Sequence, residues 1–153
     1  MGESTDKDRQ RVWMEDGIVR YVDPVGQIDW RITLAEVKVI GEYTNADGPY
    51  ADDYFLILVV RRDLPLYYLS MCAEGMDEFI KDLEASLGSS LTLELVSSTS
   101  LDSNIVWPPA MTGRKLFEIA PVRRTSLWGR LRQRMFPQYL LSLTSDVKAA
   151  LRL

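Results

Sequence analysis

One change of hydrophobic period limits the folds open to this chain more than any other feature. Tyr54-Phe55-Leu56-Ile57-Leu58-Val59-Val60 is apolar at every position, whereas Met76, Phe79, Ile80, Leu83 and Leu87 recur at helical spacing. A short run apolar on both faces predicts a central strand covered on each side. The later stripe predicts a helix over 75–87 with one apolar face. Asp77 and Glu78 fall in its first turn, where the helix dipole favours anions. Asp77 and Lys81 stand at i,i+4, and Gly88 occupies the place of a terminating glycine. A sheet accompanied by one long helix must bury a face against it. The prediction is therefore an α+β fold: a curved, mainly antiparallel sheet packed on helix 75–87, with a C-terminal helical segment.

Residues 1–14 are charged and aperiodic, and are read as an N-terminal arm with Val12, Trp13 and Met14 docking. Residues 17–22 and 27–32 read as two strands joined by Asp23-Pro24-Val25-Gly26, and residues 33–36 as a single helical turn. Val37, Val39 and Tyr43 then alternate with Glu36, Lys38 and Glu42. That pattern predicts a half-buried strand with its charges in solvent and a bulge at Gly41. Residues 66–71 return as a strand, and residues 91–96 alternate as another, although a helix would tolerate them. A Ser/Thr-rich link at 97–103 precedes strands at 104–107 and 115–119, stopped by Pro108-Pro109 and Pro121. Leu127, Leu131 and Met135 suggest a further helix, and Leu140, Leu143, Val147 and Leu151 a last one. The predicted organisation is arm 1–14, an α+β domain over 15–121, and a basic helical segment 122–153 packed upon it.

Composition removes several classes of chemistry. A length of 153 residues, 46% hydrophobic and 26% charged, suits one soluble domain. No apolar run approaches the roughly 18 to 20 residues of a membrane-spanning helix. The polar, acidic start lacks the order of a signal peptide, and Asp6 breaks the myristoylation pattern. Cytoplasm is the expected location. There are no histidines and one cysteine, so Ser-His, Cys-His and zinc sites have no residues to use.

Among candidate sites, the loop 45–53 groups Asp47, Asp52 and Asp53, but its spacing departs from a calcium loop and suits turn chemistry. Asp29, Glu36, Glu42, Asp52 and Asp53 could in principle supply an acid–base pair, yet sequence brings no two of them together. Cys72, before the helix, reads as buried and inert. Trp30 and Trp107 read as core or rim packing rather than stacking platforms.

Charge is unevenly placed: residues 1–111 carry 9 Lys+Arg against 20 Asp+Glu, and residues 112–153 carry 9 against 2. The acidic body argues against nucleic acid. The strongest candidate binding element is 123–136, in which Arg123, Arg124, Arg130, Arg132 and Arg134 surround Trp128 and a Leu/Met stripe. Basic amphipathic helices of this kind lie on anionic membranes, enter a partner's groove, or pack on an acidic face of their own domain. Packing on the domain is the favoured alternative.

The order Ile28-Asp29-Trp30, Thr44, Asp47-Gly48-Pro49, Asp52-Asp53-Tyr54, Glu74-Gly75-Met76, Ser98-Thr99 and Trp107 resembles a group of small, mostly bacterial proteins without assigned activity. The resemblance covers about half the chain and implies a pleckstrin-homology-like curved sheet with a helix. The chain departs from that order because its clear helix precedes the last strands, and the basic segment lies outside the match. No catalytic residues are implied.

These readings favour a non-enzymatic binding module that recognises a protein partner or a second copy of itself, in a regulatory or immunity-type role. A peripheral membrane adaptor using 123–136 is the first alternative, and a carboxylate-dependent enzyme the second. No cofactor, metal, nucleic acid or small-molecule ligand is expected.

Overall fold

The computed structural model describes residues 9–25, 27–45, 53–60, 66–96, 98, 100–121 and 139–151. Alternating apolar residues at the start form a meander of β1 (Arg11–Glu15), β2 (Ile18–Asp23) and β3 (Ile28–Thr33), paired antiparallel in that order. Asp16 and Gly17 join β1 to β2 with φ of 52° and 72°. Two successive positive φ values mark the tight hairpin turn whose twist suits the flanking strands. The arm expected over 1–14 is thus a strand from Arg11 onward, because β2 gives it a ladder to complete. Val12, Val19, Tyr21 and Ile32 share its buried face.

The second sheet holds β4 (Val39–Thr44), β5 (Tyr54–Val59), β6 (Tyr67–Ser70) and β7 (Asp102–Trp107), in the order β6-β5-β4-β7. Its strands are antiparallel, and the apolar run forms β5, flanked on both sides as predicted. Ile40, Leu56, Leu58, Leu69 and Val106 join one core cluster with the meander and α1 (Met76–Leu87). Val39, Ile57, Val59 and Ile105 join a second cluster on the opposite face. The register of β4 against β7 shifts between Ile40 and Gly41, where the bulge was expected. A Cβ at Gly41 would lie 2.6 Å from Leu116 Cδ2 and 3.1 Å from the Asn104 carbonyl. A side chain at Gly41 would therefore press on buried Leu116 and on the β7 backbone.

Helix α1 buries Met76, Phe79 and Leu83, with Ile80 and Leu87 half-buried beside them. Gly75 and Gly88 bound it, both in the left-handed region, and Gly88 N–H bonds the Glu84 carbonyl. The expected Asp77–Lys81 ion pair is not made; among the described residues the ion pairs are Arg114–Asp146 and Lys115–Asp102.

The second cluster is closed by a hairpin of β8 (Phe117–Pro121) and β9 (Tyr139–Leu143), then by α2 (Ser145–Ala150) with Val147 fully buried. The last helix predicted from Leu140 to Leu151 is therefore strand first and helix second. β8 offers a ladder to residues 139–143, and the Thr144 hydroxyl, donating to the Lys115 carbonyl at 3.0 Å, marks the break. Residues 91–96, read as a strand, pair with no described strand and lay Leu91 and Leu93 on the first cluster as an irregular strap. The helix predicted around 126–136 lies outside the described residues.

Candidate functional site

The strand pattern that placed Glu42 in solvent does not hold, because β4 is covered on both faces and Glu42 is fully buried. A buried carboxylate needs donors for its oxygens. Glu42 Oε2 accepts from the Tyr54 hydroxyl at 2.5 Å. Its Oε1 accepts from Asn104 Nδ2 at 3.0 Å, Glu94 N–H at 2.7 Å and Leu95 N–H at 3.2 Å. Burial first, and then its bond to the Glu42 carboxylate, push the Tyr54 phenol far above its ordinary pKa. The phenol therefore stays protonated and keeps donating. With both oxygens engaged by protein donors, this carboxylate is an anchor rather than a general base.

Two adjoining hollows among the described residues lie around the start of α1. One hollow of about 440 Å³ is lined by Met71, Ala73, Asp77 and Lys81, and an adjoining one of about 240 Å³ by Arg11, Trp13, Phe79 and Asp82. Gly75 and Glu78 line both. The groove exists because β1 is clamped beside the residues leading into α1. Val12 N–H donates to the Glu74 carbonyl at 3.0 Å, and Glu74 N–H to the Gln10 carbonyl at 2.8 Å. Gly75 makes that approach with φ of 84°, and a Cβ there would stand 2.6 Å from the Val12 carbonyl oxygen.

The two walls differ in charge. Glu74, Glu78 and Asp82 follow one another at four-residue spacing on the α1 side, all exposed and none in an ion pair with a described residue. On the strand side, the Arg11 and Arg20 guanidinium carbons lie 5.8 and 5.2 Å from the Trp13 ring centroid. Arg20 Nε is buried with no acceptor among the described residues. Cations over an indole face are held by its quadrupole. The result is an acidic helical row facing a capped aromatic wall.

Of the residues singled out from sequence, Arg123, Arg124, Trp128, Arg130, Arg132 and Arg134 lie outside the described residues, as do 46–52 of the acidic loop. Asn45 N–H donates to the Asp53 carbonyl at 2.9 Å, closing the loop's ends. Asp29 and Glu36 are exposed, whereas Glu42 is fully buried. No cluster of three or more His, Cys, Asp or Glu among the described residues is placed to hold a metal ion. Cys72, expected to be buried, is exposed, because it follows the end of β6 in a turn rather than within the sheet. Trp30 and Trp107 are half-buried against the first cluster, in keeping with packing roles.

No described helix is long and apolar enough to cross a membrane. In comparisons with known proteins, the chain matches no family model, no curated protein and no solved structure.

Proposed function

We propose that this chain is a non-enzymatic protein-binding module, docking a partner's basic segment along the groove between β1 and α1. The observation that carries the reading is the row Glu74, Glu78 and Asp82, three exposed carboxylates in no ion pair with a described residue, beside a concave surface lined by Phe79. Exposed acids left unpaired favour an approaching cation and steer its encounter. Trp13 at the rim supplies the rigid, amphipathic contact area that binding surfaces favour. Chemistry is disfavoured by the same inventory: the chain has no histidine, and the one buried carboxylate among the described residues is engaged by four donors. The resemblance over residues 28–107 to small bacterial proteins without assigned activity agrees with a regulatory or immunity-type role and names no partner.

The test compares capture from native lysate by the wild-type chain and by a Glu74→Gln, Glu78→Gln, Asp82→Gln variant. A stoichiometric partner with a basic surface, held at low salt by the wild type and lost from the variant, is the expected result. Equal capture by both, turnover in a hydrolase screen, or binding to anionic vesicles that survives the substitutions would overturn it. The last outcome would favour the membrane alternative.

A further inference from the structure

The irregular strap crossing the first face of the second sheet is held in an unusual way. Among the described residues, the backbone of 91–96 makes one hydrogen bond to another backbone group, from Ser98 N–H to the Leu95 carbonyl at 3.0 Å. Its amides go to carboxylates instead. Leu91 N–H donates to Glu84 Oε1 at 2.8 Å, and Glu94 and Leu95 N–H donate to Glu42 Oε1. Beyond it, the Thr44 hydroxyl donates to the Ser100 carbonyl at 2.7 Å. The strap nonetheless buries Leu91 and Leu95 and lays half-buried Leu93 on the first core cluster.

A ladder of backbone bonds is indifferent to charge, but bonds to a carboxylate are not. Hydrogen bonds to an ionised acceptor are roughly twice as strong as neutral ones. Both latches stand on rigid elements, Glu42 on β4 and Glu84 on α1, while the strap has no ladder of its own. We propose that residues 91–96 form a strap that opens as one unit without unfolding the sheet, and that the negative charge of Glu42 sets how often it opens. The groups facing that charge are the Tyr54 phenol from β5, the Asn104 amide from β7 and the two strap amides. Among the described residues none of these is a cation, so the carboxylate is held by neutral donors alone. Opening would bare Glu42, Asn104 and the apolar surface beneath Leu91 and Leu95. Glu42 is therefore a positioning residue for the strap.

Glu42→Gln isolates the charge. The amide keeps Oε1 for the same three donors and can donate from Nε2 to the Tyr54 oxygen, so shape and bonding persist while the charge is lost. The experiment is residue-resolved amide hydrogen exchange on the full chain. In the wild type, Leu91, Glu94 and Leu95 should exchange together, at least tenfold faster than Ile57 and Leu58 in β5. In Glu42→Gln all three should speed up together by a further tenfold or more. Wild-type strap amides that exchange no faster than Ile57 and Leu58 would overturn the proposal, as would an unchanged strap rate in Glu42→Gln. Glu84→Gln, which weakens only the Leu91 latch, is the second variant and tests whether the strap is one unit. Acceleration of Leu91, Glu94 and Leu95 together supports the proposal, and acceleration of Leu91 alone, or of none of the three, refutes it.

Discussion

Glu42 and Tyr54 meet diagonally across β4 and β5, carboxylate to phenol at 2.5 Å, with no cation in contact among the described residues. Same-face diagonal neighbours on adjacent strands lie within reach of long side chains. Among the described residues, this fully buried carboxylate is therefore held by hydrogen bonds alone. Replacing Tyr54 by Phe removes a donor and leaves Glu42 Oε2 without one, while the ring still fills its place. Loss of a hydrogen bond to a charged group should lower stability by about 1.5 to 3 kcal/mol. Equilibrium urea unfolding measures this, and an unchanged midpoint would show that water replaces the phenol at no cost.

The same pair sets an alkaline limit. Burial, followed by the Glu42 bond and charge, raises the Tyr54 pKa in the folded state. A group whose folded pKa lies above its unfolded value contributes stability that is complete below the unfolded value and lost as pH rises beyond it. For tyrosine that loss begins at about pH 10. The wild-type urea midpoint should therefore fall more steeply above that pH than the midpoint of Tyr54→Phe, whereas near neutrality the wild type should be the more stable. Parallel alkaline profiles would remove Tyr54 as the cause.

Helix α1 carries the first cluster through Phe79 and Leu83, which are 1% and 0% exposed. Truncating either to Ala removes buried apolar volume that the two-sided packing cannot refill. The expected loss is about 2 to 5 kcal/mol in each variant. Because α1 also forms one wall of the groove, both variants should weaken capture of the proposed partner in proportion to the unfolded fraction and no further.

Helix α1 and strand β5 were legible because their periods, 3.6 and unbroken apolar, leave no alternative of that length. β1 was hidden although Asp16-Gly17 is the dipeptide that favours tight hairpins, because its flanking run Arg11–Glu15 alternates weakly and ends in charge. Glu42 was misplaced for a different reason. Alternation along β4 is genuine, but the face it defines as polar is covered by the strap, and a strap held by side chains leaves no periodic trace in sequence. Glu74, Glu78 and Asp82 could have been found by their four-residue spacing, yet only the clamp of Val12 on Glu74 makes them the wall of a groove.

Two glycines bounding α1 should respond differently to the same substitution. Gly75 has φ of 84° and a Cβ there would strike the Val12 carbonyl at 2.6 Å, whereas Gly88 has φ of 64° with nothing within 4 Å. A non-glycine residue held in the left-handed region costs about 1 to 3 kcal/mol. Gly88→Ala should fall at the low end of that range. Gly75→Ala adds a clash with backbone, so it should exceed Gly88→Ala and also release β1 from Glu74. Measured stabilities and the Val12 amide exchange rate check both points; equal costs with a protected Val12 amide would contradict the reading.

The charged C-terminal third raises the question of whether its arginines or its apolar residues matter to the fold. β9 and α2 bring Leu141, Leu143 and fully buried Val147 against Val39, Ile57 and Val59, a contact made of apolar side chains. Burial of a single side chain such as Val147 contributes about 1.5 to 3 kcal/mol, and this contribution is far less sensitive to salt than charge pairing. Ending the chain after Pro121 removes both elements and uncovers the second cluster, so stability should fall sharply at any salt concentration. Replacing Arg123, Arg124, Arg130, Arg132 and Arg134 by Gln leaves β8, β9 and α2 in the chain. That variant should keep the wild-type melting temperature within a few degrees, and the intact protein should bind anionic vesicles weakly. Attraction of a basic segment to such a surface is worth about 1 kcal/mol per residue and fades with added salt. Tight, salt-sensitive vesicle binding, lost in the glutamine variant and joined to an unchanged melting temperature on truncation, would instead place the function of this segment on a membrane.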